Sequence, residues 1–307
     1  MEDYNKIIES LNVRFIKSKN IRILQPVKIQ NYYDVENSII ILNRGEIHYG
    51  EDEDVVSDES ILFIPGGKMM SITYGSGDPV SLSNDDFINN KELYFQSLET
   101  TDITKLEVEN FSFINFEAKV FDSVNFFASL DIPPFEIKGN PRIVEIIKDI
   151  TGENNSETPG KDRIIKISTE RLVIEIVRHI LETRMFVEQL ATNSTYFKDP
   201  RLIDIFAYIK NNIGGDLSNK VLANVANVSE DYVGQYFKML TGINPQDYIE
   251  YQRMEHAVNL LRTTKKSIRE IGKEVGYKDT AYFCRRFKMM FGIPAGKMRR
   301  RESLMNV

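Results

Sequence analysis

Gln235 and Arg285 stand at the same place in a stretch that this chain writes twice. "YVGQYFKMLTGI" begins at Tyr232 and "YFCRRFKMMFGI" at Tyr282, with Tyr, Phe, Lys, Met, Gly and Ile identical in register. The matched outer positions carry side chains with forked or planar hydrogen-bonding ends. An arginine can pair with guanine O6 and N7 together, and a glutamine with adenine N6 and N7. Asp231 can accept from cytosine N4 or cap its own helix. Lys238 and Lys288 sit towards the helix ends and suit phosphate oxygens, and Arg286 suits the same from a flank.

Those side chains need elements to hold them. On a 3.6-residue wheel, Val233, Phe237 and Leu240 fall on one face, and Phe283, Phe287 and Met290 do the same in the second copy. Both sets are expected to be buried. The outer faces carry Asp231, Gly234, Gln235 and Lys238 in one copy, and Ala281, Cys284, Arg285 and Lys288 in the other. A shared scaffold with different outer chemistry suits the reading of two different half-sites. A short helix precedes each copy. Leu222 and Ala223 lead into the turn 227–229, and Ile271 and Gly272 lead into the turn 276–279. Helix, turn and second helix is the layout that places a helix in the DNA major groove. The helical stretch from Pro245 is about 27 Å long at about 1.5 Å per residue. It could hold two heads near the roughly 34 Å that separates successive major-groove segments.

The totals bound the rest. A chain of 307 residues suggests two domains, and 42% hydrophobic residues can form real cores. No stretch reads as a membrane span, and the polar, acidic "MEDYNKIIES" is no secretory leader. One cysteine, Cys284, excludes an intrachain disulfide and suits a reducing, cytoplasmic setting. From Phe197 to Val307 there are 19 Lys/Arg and 12 Asp/Glu, whereas residues 1–196 hold 20 and 33. The basic rear could meet a polyanion that the whole-chain net charge of −6 conceals.

Residues 1–135 read mostly as strands: 38–43, 46–50, 60–67 and 110–121 are short runs bounded by turn residues. That pattern predicts a sandwich or small barrel. Helices follow at 141–151 and 162–190. The second has a stripe containing Val173, Ile176, Val177 and Ile180, which could pack on its own domain or form a homodimer face. Residues 191–200 are polar and aperiodic and read as a linker. Boundaries are therefore expected at 1–195 and 196–307. His48 is the sole histidine of the strand region, so a three-histidine metal site within it is excluded. Tyr32, Tyr33, Phe63 and Phe113 could line a pocket but suit core packing better. No catalytic constellation, metal or cofactor is expected.

The stretch 268–292 resembles the C-terminal signature of the AraC/XylS family of bacterial transcription regulators. Ile271, Val275, Gly276, Tyr277, Asp279, Tyr282, Phe283, Arg286, Phe287, Lys288 and Gly292 carry the likeness. Leu222, Ala223, Ser229, Phe237, Lys238, Gly242, Tyr248, Arg253, Ala257 and Leu261 match the family's other half. Two departures stand out. Gly272 replaces a usual alanine, which weakens a helix by about 1 kcal/mol, and "IPAGKMRR" puts its proline one place early, with Met298 where an aromatic is usual. The front half is similar to the cupin-like barrel of such regulators. The resemblance implies an α+β multidomain chain: a cupin-like β-barrel with following helices, then a seven-helix all-α domain with two helix-turn-helix motifs. It further implies double-stranded DNA as partner, an activator that contacts RNA polymerase, and a front domain that dimerises or senses a small molecule. The alternative is a regulator without a chemical effector, controlled by a protein partner or its own abundance.

Overall fold

The computed structural model describes residues 5, 8–56, 60–99, 106–120, 124–190, 199–241 and 244–299. The chain divides into two compact units. One comprises Leu11–Lys119 and Asn125–Val187; the other comprises Met1–Ser10, Val120–Val124 and Glu188–Val307. The linker read at 191–200 lies outside the described residues except for its last two positions.

The front unit is built on β1 (Leu11–Ile23), β2 (Val27–Tyr33), β3 (Asn37–Arg44), β4 (Ile47–Tyr49), β5 (Asp54–Val56), β6 (Ile61–Ile64), β7 (Met69–Tyr74) and β8 (Val80–Ser83). Helix α1 (Asn84–Tyr94), β9 (Phe95–Leu98), β10 (Asn110–Val120), β11 (Val124–Asn125), the short α2 (Phe126–Ser129) and β12 (Phe135–Ile137) follow. A seven-stranded sheet runs β12-β6-β3-β10-β1-β9 with β11 on β10, and a five-stranded sheet runs β5-β4-β7-β2-β8. Among the described residues no strand pairing joins the two, so the expected barrel is a pair of open sheets. After pairing β2 in parallel, β8 leads directly into α1 and the smaller sheet ends there.

Strand β3 explains its own apolar run. Ile39, Ile40, Ile41 and Leu42 are all buried, so both faces of this interior strand are covered. Phe63 on β6 packs against Phe127 at 4.8 Å and Phe135 at 5.3 Å between ring centres. Phe63 and Tyr33 are core residues, and Tyr32 and Phe113 are half-buried. His48 is a strand residue beside Glu46, 3.2 Å from its carboxylate.

Helices α3 (Pro141–Asn154) and α4 (Lys161–Glu182) pack on each other and on β1. Asn140 caps α3 by accepting from the Ile143 N–H at 3.2 Å, and Pro141 fits the first turn because its missing N–H needs no partner there. Helix α4 stops at Glu182, short of the expected 190. Thr183 bonds back to the His179 carbonyl, Arg184 and Phe186 take left-handed backbone, and the Phe186 ring packs on Phe135. Of the two roles left open for the stripe, its own domain or a homodimer face, burial within the chain fits the first. Val173, Ile176, Val177 and Ile180 are all 2% exposed or less, and the helix packed on α4 buries Ile143, Ile146, Ile147 and Ile150. These four side chains are core, and the apolar residues α4 leaves outside are Ile164 and Ile167.

From Pro200 on, the regular elements of the rear unit are all helices among the described residues. They are α5 (Pro200–Asn211), α6 (Asn219–Ala226), α7 (Glu230–Thr241), α8 (Pro245–Thr263), α9 (Ile268–Glu274) and α10 (Thr280–Phe291). A further helical stretch covers 295–299. Pro294 opens that stretch by accepting from Lys297 and Met298, and Met298 is buried where the aromatic was expected. Among the described residues no helix is long and apolar enough to cross a membrane.

Candidate nucleic-acid interface

Each repeated segment is the second helix of a helix-turn-helix. In the first motif α6 ends on Asn227, whose left-handed φ of 54° turns the chain, and α7 begins at Glu230 directly after Ser229. Asparagine tolerates this conformation better than most residues. In the second motif Ser267 and Glu270 form a reciprocal capping box at the start of α9, and Asp279 caps α10. Gly272 on α9 lies directly under Phe283: a Cβ there would stand 3.2 Å from the ring. A methyl there would crowd this fully buried phenylalanine by a few tenths of an ångström.

Val233, Phe237, Phe283 and Phe287 are all 0% exposed. The Leu240 side chain lies outside those described. Met290 was expected in the buried stripe but is half-buried, and Phe291 is inside instead, its ring 4.4 Å from that of Phe287. The larger apolar side chain one position on takes the core site.

With one side of each helix buried, the other faces outward. Asp231, Gln235, Ala281 and Arg285 are exposed, Gly234 and Cys284 half-buried, and Lys238 and Lys288 exposed. The Arg285 guanidinium lies over the Tyr282 ring at 5.9 Å, which limits where that fork can point.

Arg286 does something other than expected. Its Nε donates to Glu250 Oε1 at 2.5 Å and its Nη2 to Glu250 Oε2, so both carboxylate oxygens on α8 are engaged. These hydrogen bonds to Glu250 hold the guanidinium further above its usual pKa range. A phosphate contact is not the role this geometry gives it; Arg286 fastens α10 to α8. The matching position of the first motif is Tyr236, which is buried and donates its hydroxyl to Asp199. Asp199 also accepts from Arg201 Nε at 3.1 Å and Nη2 at 2.9 Å, and Arg201 lies 4.5 Å over the Tyr236 ring. These bonds, Arg201's first, lower the Asp199 carboxyl to about 2 against the cost of its partial burial. Burial first, then Asp199, raises the Tyr236 hydroxyl.

Tyr232 and Tyr282 also lie on the outward side, beyond the base-facing set expected from the sequence. They are 43% and 47% exposed and stand at the same point near the start of each outward helix. Their identity in the two copies, off the buried stripe, was the available signal. Among the described residues no group of three or more His, Cys, Asp or Glu is gathered as a metal would need.

Residues 222–301 match the family described as "Helix-turn-helix domain". Over 114 residues the chain is 31% identical to the Transposon Tn10 TetD protein of Escherichia coli, covering 37% of this chain and 83% of that one. Over 99 residues it is 32% identical to the lactose operon transcription activator of Staphylococcus xylosus, covering 32% of this chain and 36% of that one. The chain thus spans about a third of the length of that activator. A crystal structure of apo ToxT from Vibrio cholerae is similar over 95% of this chain and 97% of that one, with a TM-score of 0.52 at 9% identity. That likeness concerns the fold.

Proposed function

Since this chain belongs to the AraC/XylS family of DNA-binding transcription regulators, we propose that it recognises a specific promoter sequence by placing α7 and α10 in consecutive major-groove segments. The observation that carries this reading is the pairing of similar buried faces with outer faces that differ at Gln235 and Arg285. Val233 and Phe237, like Phe283 and Phe287, are fully buried, while Gln235 and Arg285 are exposed at matching positions. Arg285 reads guanine and Gln235 reads adenine. Gly234, Ala281 and Cys284 allow close approach, and Asp231 faces a cytosine or tunes the start of its helix. Lys238 and Lys288 meet phosphates. The lactose operon relative is named an activator, and activation through RNA polymerase is the direction proposed for this chain.

The front unit brings two chains together or passes a signal to the DNA-binding unit, with domains divided near 195. Because Val173, Ile176, Val177 and Ile180 are enclosed, self-association falls to the outer side of α4, where Ile164 and Ile167 are each 49% exposed. A second reading has no chemical effector: the front unit only dimerises, and control comes from a protein partner or abundance. The enclosed aromatic cluster of Phe63, Phe116 and Phe127, all at 0% exposure, favours it. Selection of DNA from a random pool by the full chain tests the main reading, and repeating it with candidate effectors added separates the two.

A further inference from the structure

An open cleft of about 1030 Å³ lies in the DNA-binding unit, lined by residues other than the base-facing set. Its rim carries Arg253 from α8, Arg269 and Lys273 from α9, Lys278 from the following turn, and Thr280 at the start of α10. Four cationic side chains meet there with one carboxylate, Asp216. That carboxylate is occupied locally, accepting from the Ser218 N–H at 2.9 Å, and this bond lowers its pKa. Arg269, Lys273 and Lys278 are exposed.

The walls of the cleft are locked together. Arg253 donates from Nε to the Ile213 carbonyl at 3.0 Å and from Nη2 to the Gly215 carbonyl at 2.9 Å. Gly276, with φ of 92°, leaves room for that guanidinium, since a Cβ there would come within 2.8 Å of it. Gly214 abuts the Glu274 carbonyl so closely that a Cβ would overlap the oxygen. Gln246 donates to the Leu217 carbonyl at 3.1 Å and to Asn219 Oδ1 at 3.2 Å. These contacts join the loop before the first motif to the turn of the second, giving a cleft of fixed width.

Its position is equally defined. Asn219 lies 3.7 Å from the point where a Cβ would project from Gly234 on α7, and Thr280 opens α10. Gln246 on the cleft wall bonds Asn219, so the cleft adjoins α10 directly and α7 through Asn219. On the two-helix reading, a duplex laid across α7 and α10 would carry its backbone past this interval.

We propose that the cleft receives backbone phosphates of the DNA between the two major-groove segments, with Arg269, Lys273 and Lys278 as the contacts. This rests on the two-helix reading above and adds a third, sequence-independent contact to it. Such contacts fix register and orientation while carrying no base preference. Each phosphate neutralised contributes a slope of about −0.9 to log K against log salt.

The test uses the full chain and the duplex recovered by selection. The affinity of wild type and of an R269A/K273A/K278A variant is measured by fluorescence anisotropy over a salt series. The expected result is a slope shallower by about 2 to 3 in the variant, with an unchanged ratio of affinities for selected and base-scrambled half-sites. Neutral methylphosphonate linkages placed between the half-sites should weaken wild type and leave the variant unaffected. An unchanged slope overturns the proposal, as do neutral linkages that cost both proteins equally. A loss of base discrimination at constant slope overturns it too, by assigning these side chains to bases. Saturable binding of inorganic phosphate to the DNA-free chain, lost in the variant while the DNA slope stays constant, would assign the cleft to a free anion. If wild type selects no sequence, the two-helix reading fails before any variant is made.

Discussion

Arg286 on the second recognition helix grips both carboxylate oxygens of Glu250 on the helix that joins the two motifs. Its counterpart in the first motif, Tyr236, holds Asp199. One position of a duplicated helix thus does one job, anchoring to a carboxylate, with two different chemistries.

That relationship predicts how Arg286 variants behave. Arg286→Ala or Glu250→Ala should destabilise the DNA-binding unit by roughly 1 kcal/mol, since the pair is bidentate but partly exposed. Urea unfolding measures it. The salt dependence of DNA binding should not change in Arg286→Ala. A slope shallower by about 1 would return this arginine to the phosphate-contacting set.

The glycines of the DNA-binding unit should differ sharply. Gly214→Ala forces a methyl onto the Glu274 carbonyl oxygen, and Gly276→Ala adds left-handed strain to a clash with Arg253. Each should cost about 2 kcal/mol or more. Gly272→Ala should stay within about 1 kcal/mol of wild type, because the gain in helix propensity opposes crowding of Phe283. Thermal melts of the three variants rank them directly, and equal losses would contradict this ordering.

Base reading should separate between the two helices. Gln235→Ala and Arg285→Ala should each cost about 1 to 3 kcal/mol of discrimination at one base pair, in different halves of the site. Competition binding against single-base variants of the duplex reports this. Loss of affinity without loss of discrimination would place either side chain on the backbone.

Asp199 gives a pH prediction. Its carboxyl lies at about 2 in the folded chain, below the usual 3.8. The unfolded chain therefore binds the proton first as pH falls. Stability from this group is complete above the unfolded value and is lost as pH drops from about 4 through about 2. Asp199→Asn keeps an N-cap and removes the charge. Its melting temperature should lie a few degrees below wild type at pH 7, with the gap closing towards pH 2. A gap that widens on acidification would refute the assignment.

Helices α7 and α10 were legible because the chain writes them twice, and similar residues at one spacing expose most of the buried stripe. The central strands were legible because burial on both faces demands uninterrupted apolar runs such as Ile39 to Leu42. What could not be read depends on which side a surface meets. The Val173 to Ile180 stripe fits a neighbouring helix of the same chain as well as a second chain, and composition does not distinguish them. Arg286 looks like any surface arginine until Glu250, thirty-six positions earlier, is brought beside it. The locks at Gly214 and Gly276 arise from backbone approach between distant segments and leave no local pattern.

The most direct test of the central claim is selection of DNA from a random pool by the full-length chain, followed by the same selection with Gln235→Ala and with Arg285→Ala. Two recognition helices in successive major-groove segments predict a bipartite motif with its halves about 10 base pairs apart, one half degraded by each substitution. A single block altered at the same positions by both, or no motif at all, would contradict it.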